Sequence, residues 1–340
     1  MPTWLAEGGD DFEVALFTEA VYVRNLADRP FPGRLQSEDL GTTRRQLTEY
    51  LGNVLAEYRF IETDRLPNEE VSYLVERNSV SSEIIERKEG TGLFITDDES
   101  SWVSLNTSDH LRFRFAAGGS DVETVYRKAR NLEEQLENIL PFAFSERFGF
   151  LTARPTECGT GLFLRFTVHI PGILFSNNLP ALRDSLLKAG STIIPEVNPG
   201  ISTEGHLFTV QTAHTLGIDE EEILEISQDM ISELAEMEYH ARDTLLSKAK
   251  YQIEDKILRG IGILTHARMI AEQEGYALAN ALRLGAAEGI ASETLDLLAA
   301  TELYLIGKPA HLIALGGKGN KLEMDTRRAE LFRSYIKLEG

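Results

Sequence analysis

The chain has 340 residues, of which 42% are hydrophobic and 26% are charged, a composition typical of soluble globular proteins. Its 54 acidic residues outnumber its 34 basic residues, and the net charge of −20 argues against binding nucleic acid through bulk electrostatics. The single cysteine, Cys158, excludes a disulfide framework and a multi-cysteine zinc site. We find no signal-peptide pattern and no membrane-spanning run, so a cytoplasmic protein that binds neither nucleic acid nor membrane is expected.

Helix and strand patterns alternate in the first part of the chain. Leucines at spacings of four to seven predict a helix over residues 36–60, and a second helical stretch follows Pro67. Residues 91–115 contain short apolar or alternating runs that predict strands, the clearest being Leu111-Arg112-Phe113-Arg114-Phe115. Residues 121–140 again have the pattern of a helix.

The middle of the chain, residues 148–215, has the pattern of strand, helix and strand. Strands are predicted over 162–170, 192–194 and 207–210, and a helix is predicted over 179–189. Together with the preceding elements, this predicts an α+β fold.

The strongest helical pattern covers residues 219–250, and its acidic first turn suits the positive end of a helix dipole. Helical patterns continue from 251 to the end, so we predict two domains, 1–250 and 251–340. The acidic stretch 219–238 is either an interaction face or a solvated helix surface, and the sequence leaves both open.

Motifs of common chemistry are missing from the chain. It contains no HExxH, CxxC, P-loop or GxGxxG pattern, and its seven histidines are scattered, so no metal site is expected. Ser108, Asp109 and His110 are triad residue types, but neighbours in a strand point to opposite faces and cannot form a triad with one another. The residue types alone therefore predict an α+β protein with a helical tail, without a function.

Several long segments resemble the ATP:guanido phosphotransferase (phosphagen kinase) family, in particular its bacterial protein-arginine kinase branch. Residues 148–161, FGFLTARPTECGTG, are similar to the family stretch FGYLTACPTNxGTG. Further similar segments are Arg24-Asn25-Leu26 with Pro30-Phe31-Pro32, Leu74-Val75-Glu76-Arg77, Asn106 to Arg112, Thr215 to Leu224, and the tail motifs at 254–256, 262–264, 283–285 and 325–329. The resemblance implies an antiparallel sheet flanked by helices, followed by an all-helical C-terminal domain.

Phosphoryl transfer to a guanidinium depends on cations that hold the phosphates, and the family supplies several arginines for this purpose. At four of these five positions the aligned residues here are Glu19, Val21, Phe163 and Ile194, whereas Arg112 persists. A carboxylate at position 19 repels a triphosphate, where the family's arginine attracts it. The resemblance therefore predicts a nucleotide site that is largely lost.

Two other arginines complete the vestigial nucleotide site that we predict. Arg24 belongs to a matching motif, and Arg165 lies near the old site. With Arg112, they are the candidate nucleotide-binding residues.

The acceptor side departs from the family in the same way. Thr107 and Ser108 replace the paired glutamates that, in the family, hold the guanidinium and act as base. Neither hydroxyl side chain can carry a negative charge or act as a base near neutral pH. Arg154 replaces the reactive cysteine, and Cys158 is shifted from that position. We therefore assign no catalytic residue.

The tail contains a partial match to a motif that forms a phospho-arginine pocket in the family. Asp325 and Arg328 match that motif, whereas Met324 stands in place of its first arginine. An Asp can pair with a guanidinium and an Arg with a phosphoryl group. The alternatives are a weakened phospho-arginine site and an ordinary surface helix.

These observations predict a pseudokinase-like relative of bacterial protein-arginine kinases that acts by binding or regulation in protein quality control. The alternative is an active protein-arginine phosphotransferase that uses Arg112, Arg154 and Arg165. The family uses ATP and Mg, but no cofactor is expected here. The resemblance implies a homodimer, and as partners an active arginine kinase, a zinc-binding activator protein or a Clp-type unfoldase.

Overall fold

The computed structural model describes residues 3–6, 8–86, 88–195, 207–290 and 292–336. The strands in these residues are β1 (Ala15–Arg24), β2 (Arg59–Ile61), β3 (Gly92–Ile95), β4 (Ser101–Leu105), β5 (Leu111–Gly118), β6 (Phe144–Ser145), β7 (Gly149–Phe150), β8 (Leu162–His169), β9 (Ser191–Pro195) and β10 (Leu207–Thr212). The helices are α1 (Thr3–Ala6), α2 (Ser37–Leu51), α3 (Asn68–Glu76), α4 (Glu83–Glu86), α5 (Val122–Glu137), α6 (Pro171–Phe175), α7 (Leu179–Lys188), α8 (Glu220–His266), α9 (Glu272–Ala287), α10 (Leu297–Ile306), α11 (Pro309–Gly316) and α12 (Lys321–Arg333).

Eight strands form one antiparallel sheet in the order β2-β3-β4-β5-β1-β8-β10-β9. The predicted α+β fold with an antiparallel sheet is confirmed. Strand β1 is not predicted from the sequence, because this central strand is buried along nearly its whole length and lacks a clear polar alternation. The helix predicted over 36–60 ends earlier, at Leu51, and the segment beyond it leads into β2.

The sheet has an apolar face and a charged face. Cross-strand partners point to the same side of a sheet, and successive residues point to opposite sides. The apolar face, which we call the helix face, packs against α5 and α8 through residues such as Ala20, Tyr22, Phe113, Leu164 and Phe166. The opposite side, which we call the cleft face, carries Glu19, Val21, Arg112, Arg114 and Arg165.

One end of the cleft face is covered by residues 67–86, a segment that we call the strap and that contains α3 and α4. It is held by an apolar cluster of Val71, Val80 and Ile84 from the strap with Leu93, Ile95 and Trp102 from the sheet. The strap therefore forms one wall of a cleft whose floor is β1, β5 and β8.

The C-terminal part of the chain is helical, as predicted. Helix α8 is longer than the predicted 219–250, and its backbone kinks at Ala249 (φ −136°, ψ 32°), next to the predicted domain boundary. Helices α9, α10 and α12 share a separate apolar core with the end of α8. No helix in the described residues is both long enough and apolar enough to cross a membrane.

A buried arginine joins this helical part to the sheet. Arg283 in α9 is fully buried and donates to the Glu13 carbonyl oxygen (2.7 Å) and to Thr301 Oγ1 (3.0 Å). Its Nη1 also lies 3.0 Å from Nδ1 of His169, at the end of β8, and His169 Nε2 lies 2.7 Å from Asn280 Oδ1. The two parts therefore meet through a polar core.

The strap is fastened to the helical part at the first turn of α11. The carboxylate of Glu76 accepts hydrogen bonds from the backbone N–H groups of Ala310 (2.9 Å) and His311 (3.0 Å), and His311 Nδ1 lies 3.1 Å from it. An anion at this end of a helix satisfies free N–H groups and the helix dipole. Lys318 adds an ion pair to Glu69 of α3.

We expect Glu76→Ala to loosen the strap without unfolding the chain. Losing a helix-capping carboxylate costs about 1 kcal/mol, and amide hydrogen exchange of Ala310 and His311 should accelerate. The measurement is hydrogen exchange by mass spectrometry or NMR, with the exposed Glu70→Ala on the same helix as the control. Equal exchange in the two variants would contradict the fastening.

Candidate functional site

A cavity of about 240 Å³ lies between the cleft face and the strap. The sheet contributes charged and hydroxyl side chains, and the strap contributes the end of α3 and the turn that follows it. The lining residues are Glu19, Val21, Val75, Asn78, Val80, Ser81, Ser82, Trp102, Arg112, Arg165, Thr167 and Thr209. Arg112 and Arg165, two of the predicted nucleotide-binding residues, thus lie together.

The guanidinium of Arg112 is bound by two carboxylates of the protein itself. Its Nη2 lies 2.9 Å from Glu157 Oε2 and 3.5 Å from Glu83 Oε1. All three residues are buried, so water screens these charges little. The one clamp arginine that the resemblance retains is therefore neutralised internally.

Arg154 contacts the same two carboxylates from the side of this cluster that faces solvent. Its Nη1 contacts Glu83 Oε1 at 2.9 Å and Glu157 Oε1 at 3.1 Å, and its side chain is half exposed. Burial alone would raise the pKa of Glu83, but the Arg112 and Arg154 charges outweigh burial and hold that pKa below its ordinary value. Both carboxylates are thus occupied by guanidinium groups of the chain.

Glu19 forms a second internal ion pair in the cleft, with Nε of Arg114. Arg114 also donates from Nη1 to the carbonyl oxygen of Asn78 in the strap, at 2.7 Å. Asn78 has a positive φ of 57°, a conformation that Asn tolerates better than most residues and that turns the chain after α3. This pair therefore fixes the strap to the cleft floor.

Arg165 differs from its neighbours because no described carboxylate lies within ion-pair distance of it. Its guanidinium stacks on the Phe163 ring at 5.3 Å, and its buried Nε has no hydrogen-bond partner among the described atoms. Burial, reinforced by the charge of Arg112, lowers the pKa of Arg165. Phe163 and Ile194, which replace family arginines, add no charge to this face of the sheet.

The loop that carries Thr107 and Ser108 lies beside the carboxylate cluster. Thr107 is buried, with its hydroxyl unpartnered among the described atoms, and the backbone N–H of Ser108 donates to Glu83 Oε2 at 3.3 Å. A carboxylate therefore reaches this loop from the strap, although the loop itself carries no glutamate.

Asn25 connects the two stretches that resemble the family most closely. Its Nδ2 donates to Asp109 Oδ1 and to the Leu151 carbonyl oxygen, and its Oδ1 accepts from the His110 N–H at 3.0 Å. Asp109 Oδ1 also accepts from the Ala153 N–H at 2.6 Å. Asp109 and His110 thus serve to position the loop.

Arg24 is not brought together with Arg112 and Arg165. It points to the helix face, because it follows Val23 by one residue on β1, and there it is fully buried. Its Nη2 lies 2.8 Å from Glu133 Oε1, and its guanidinium stacks 3.6 Å from the Phe150 ring centroid. The expected nucleotide contact of Arg24 is therefore replaced by a contact within the core.

Asp325 and Arg328 form a pair in the tail, at 2.8 Å. Arg328 is buried and also donates to the carbonyl oxygens of Gly307 and Ile270, both at 2.8 Å. The pair thus holds the turn before α11, the helix that Glu76 caps. Phospho-arginine binding at these residues stays a prediction.

Three residues of this site were not predicted from the sequence: Glu83 and Glu157, which determine its charge, and Asn25, which positions the neighbouring loop. Glu157 carried a signal, since it stands where the family motif has an asparagine. Asn25 lies in a matching motif, but nothing marked its contacts. Glu83 carried no signal, because only the packing of the strap brings it to Arg112.

The family model for the ATP:guanido phosphotransferase C-terminal catalytic domain matches residues 42–241, and that for the protein-arginine kinase McsB C-terminal domain matches residues 250–339. The protein-arginine kinase of Halothermothrix orenii is 31% identical over 337 residues, 98% of this chain and 96% of the relative. That of Symbiobacterium thermophilum is 31% identical over 343 residues, which again cover 98% of this chain and 96% of the relative. This chain belongs to the ATP:guanido phosphotransferase family. Both of these relatives, which match nearly its whole length, are protein-arginine kinases.

Solved phosphagen kinases share the fold. The duplicated taurocyamine kinase from Schistosoma mansoni, with bound transition state analog components, superimposes with a TM-score of 0.61 at 18% identity. That match covers 77% of this chain but only 38% of the duplicated enzyme. Lombricine kinase gives a TM-score of 0.58 at 16% identity, covering 68% of each chain.

The charges of the cleft do not fit the magnesium triphosphate that the family uses. Arg112, Arg114 and Arg154 are each paired with carboxylates, and among the described cleft arginines only Arg165 is not. A nucleotide would have to displace Glu83, Glu157 or Glu19 from its guanidinium. We therefore derive no phosphoryl-transfer step through this site.

We expect Arg24→Met to lower the free energy of unfolding by about 3–5 kcal/mol, because it leaves Glu133 buried without its partner. The measurement is urea unfolding. Arg127→Met is the matched control, since it removes an exposed pair with Glu123 and should cost about 1 kcal/mol or less. Equal losses in the two variants would contradict a structural role for Arg24.

The buried ring of His110 predicts a pH dependence of stability. Burial lowers the pKa of His110 to about 4 in the folded protein, whereas a histidine in the unfolded chain has a pKa of about 6.5. The unfolded state therefore binds more protons between these values, so stability falls as the pH falls from about 6.5 to 4, by up to about 1.4 kcal/mol per pH unit.

The test compares urea unfolding across this pH range for the wild-type protein and for His110→Gln. The variant should lose this contribution to the pH slope. His240→Gln, a substitution at an exposed histidine, should retain the wild-type slope. A slope unaffected by His110→Gln would show that other groups carry the dependence.

Proposed function

We propose that this chain is a non-catalytic member of its family, a pseudokinase that acts by binding. The observation that carries the proposal is the internal neutralisation of Arg112 by Glu157 at 2.9 Å and Glu83 at 3.5 Å. Phosphoryl transfer is catalysed mainly by positioning and by stabilising charge on the phosphates. A cleft arginine already bound to carboxylates supplies little of that stabilisation.

The numbers of positive and negative side chains across the whole cleft also argue against nucleotide binding. Four guanidinium groups (Arg112, Arg114, Arg154 and Arg165) face three carboxylates (Glu19, Glu83 and Glu157). A triphosphate brings several negative charges into this setting, and each carboxylate that it meets repels it. Affinity for the nucleotide should accordingly be weak.

One observation favours the alternative, an active phosphotransferase with a rebuilt site. Glu83 reaches the loop of Thr107 and Ser108, where the family has its catalytic glutamates. Two features argue against a base at Glu83. Arg112 and Arg154 hold its pKa below the ordinary value, and a general base works best with a pKa near the operating pH. Its carboxylate oxygens are also already occupied by guanidinium groups.

We propose that this binding role lies in protein quality control, as the resemblance to the protein-arginine kinase branch implies. We propose a homodimer in the cytoplasm, with a division into domains at residue 250. The proposed partners are an active arginine kinase, a zinc-binding activator protein or a Clp-type unfoldase. The Asp325–Arg328 pair is the proposed site for a phospho-arginine side chain.

We expect no binding of MgATP to the purified chain at micromolar concentrations in isothermal titration calorimetry. The Halothermothrix orenii protein-arginine kinase serves as the positive control under the same conditions. A parallel assay follows labelled phosphate from ATP onto an arginine-rich protein. No label should appear with this chain.

Micromolar MgATP binding would overturn the proposal, and so would label on the arginine-rich acceptor. Should label appear, Glu83→Gln tests the rebuilt site. Loss of transfer in that variant would support Glu83 as the base of an active enzyme.

A further inference from the structure

The unpaired guanidinium of Arg165 is the feature of the cleft that the proposed function leaves unexplained. The side chain lines the cavity between sheet and strap, and its buried Nε lacks a hydrogen-bond partner among the described atoms. Buried polar groups normally find partners, and a partly buried cation with no carboxylate at ion-pair distance attracts an anion. Such a group marks a place where an anion from solution would be favoured.

The other charged side chains that face this cavity form ion pairs within the described residues. Glu19 is held by Arg114, and Arg112 is held by Glu157 and Glu83. One positive charge therefore remains, at Arg165, and an anion of low charge balances it. A ligand with several charges would meet the Glu19 carboxylate on the same wall.

The uncharged part of the lining is rich in groups that can donate hydrogen bonds. Thr167 stands beside Arg165 on the cleft face, two residues further along β8. Ser81 and the Asn78 amide face them from the strap. Hydroxyl and amide groups from two sides suit the four oxygens of a tetrahedral anion, whereas a planar carboxylate has only two.

The size of the cavity also points to a small ligand. Its volume of about 240 Å³ is below the range of roughly 300–1,000 Å³ that is typical of pockets for drug-sized molecules. A phosphate ion and its water fit such a volume more readily than a nucleotide.

We infer that the cleft is a binding site for a small tetrahedral oxyanion of low charge, of which inorganic phosphate is an example, held by Arg165 with Thr167 and Ser81. Arg165, Thr167 and Ser81 do not stand at the clamp positions of the family. The inference rests on the proposed function, because it assumes that no nucleotide occupies the cleft.

The experiment is titration of the full chain with inorganic phosphate by calorimetry, in a buffer free of phosphate and sulfate. We expect one site per chain. Arg165→Met should weaken binding by about 10- to 100-fold, as expected for the loss of a charge-assisted contact. Arg147→Met is the matched control, since Arg147 is an exposed arginine that also stacks on a phenylalanine, at 5.0 Å; it should bind as the wild type does.

A second variant keeps the test informative if Arg165→Met fails to fold. Thr167→Val removes one hydroxyl and retains the charge, and it should weaken phosphate binding several-fold. Thermal unfolding provides a further readout. Phosphate should raise the melting temperature of the wild-type protein and leave that of Arg165→Met unchanged.

Each outcome decides between the inference and its rivals. No phosphate binding by the wild type would overturn the inference and leave the proposed function standing. Binding that persists in Arg165→Met would mean an adventitious ion only. Acetate binding as tight as phosphate would overturn the tetrahedral specificity. Phosphate that is displaced by micromolar MgATP would overturn both the inference and the proposed function.

Discussion

The two faces of the central strands carry opposite chemistry, and the rest of the structure depends on this alternation. In β5, Phe113 packs on the helices while Arg112 and Arg114 point into the cleft. The apolar face supplies the core that holds the sheet together, so the other face is free to carry charge. Charges that lie this deep need partners, because water reaches them poorly. Which partner each charge has then decides what the cleft can bind.

In this chain most of those partners come from the protein. Glu157 lies in the turn after β7, Glu83 comes from the strap, and Glu19 lies on the central strand itself. Each occupies a guanidinium that would otherwise be available to a phosphate. Stability and catalysis are therefore in competition at this site. The internal ion pairs fix the strap to the sheet, and the same pairs remove the positive potential on which a nucleotide depends.

Much of the fold could be predicted from the sequence, because long collinear motifs and periodic helices are local signals. The alternation of Leu111 to Phe115 and the helical pattern over 219–250 both predicted elements that the structure contains. The site was less predictable. A motif match predicted that Arg24 lies near the nucleotide. Successive residues of a strand point to opposite faces, however, and Arg24 follows Val23 on β1, so its side chain lies on the helix face of the sheet. The contact of Glu83 with Arg112 joins residues 29 positions apart through the packing of the strap, and no local pattern encodes it.

The positions that match the family and those that depart from it have different structural roles. Arg24 and Asn25 match, and they hold the core and the loop of Asp109. Glu76 also matches, and it fastens the strap to α11. Glu19, Thr107 and Ser108 depart, and they line the cleft or lie beside its carboxylate cluster. In the function that we propose, the architecture, including the link from the helical part to the wall of the cleft, is retained and phosphoryl transfer is not. This distribution is expected of a protein whose shape is recognised by a partner, because recognition requires the fold and the strap in place but does not require phosphoryl transfer.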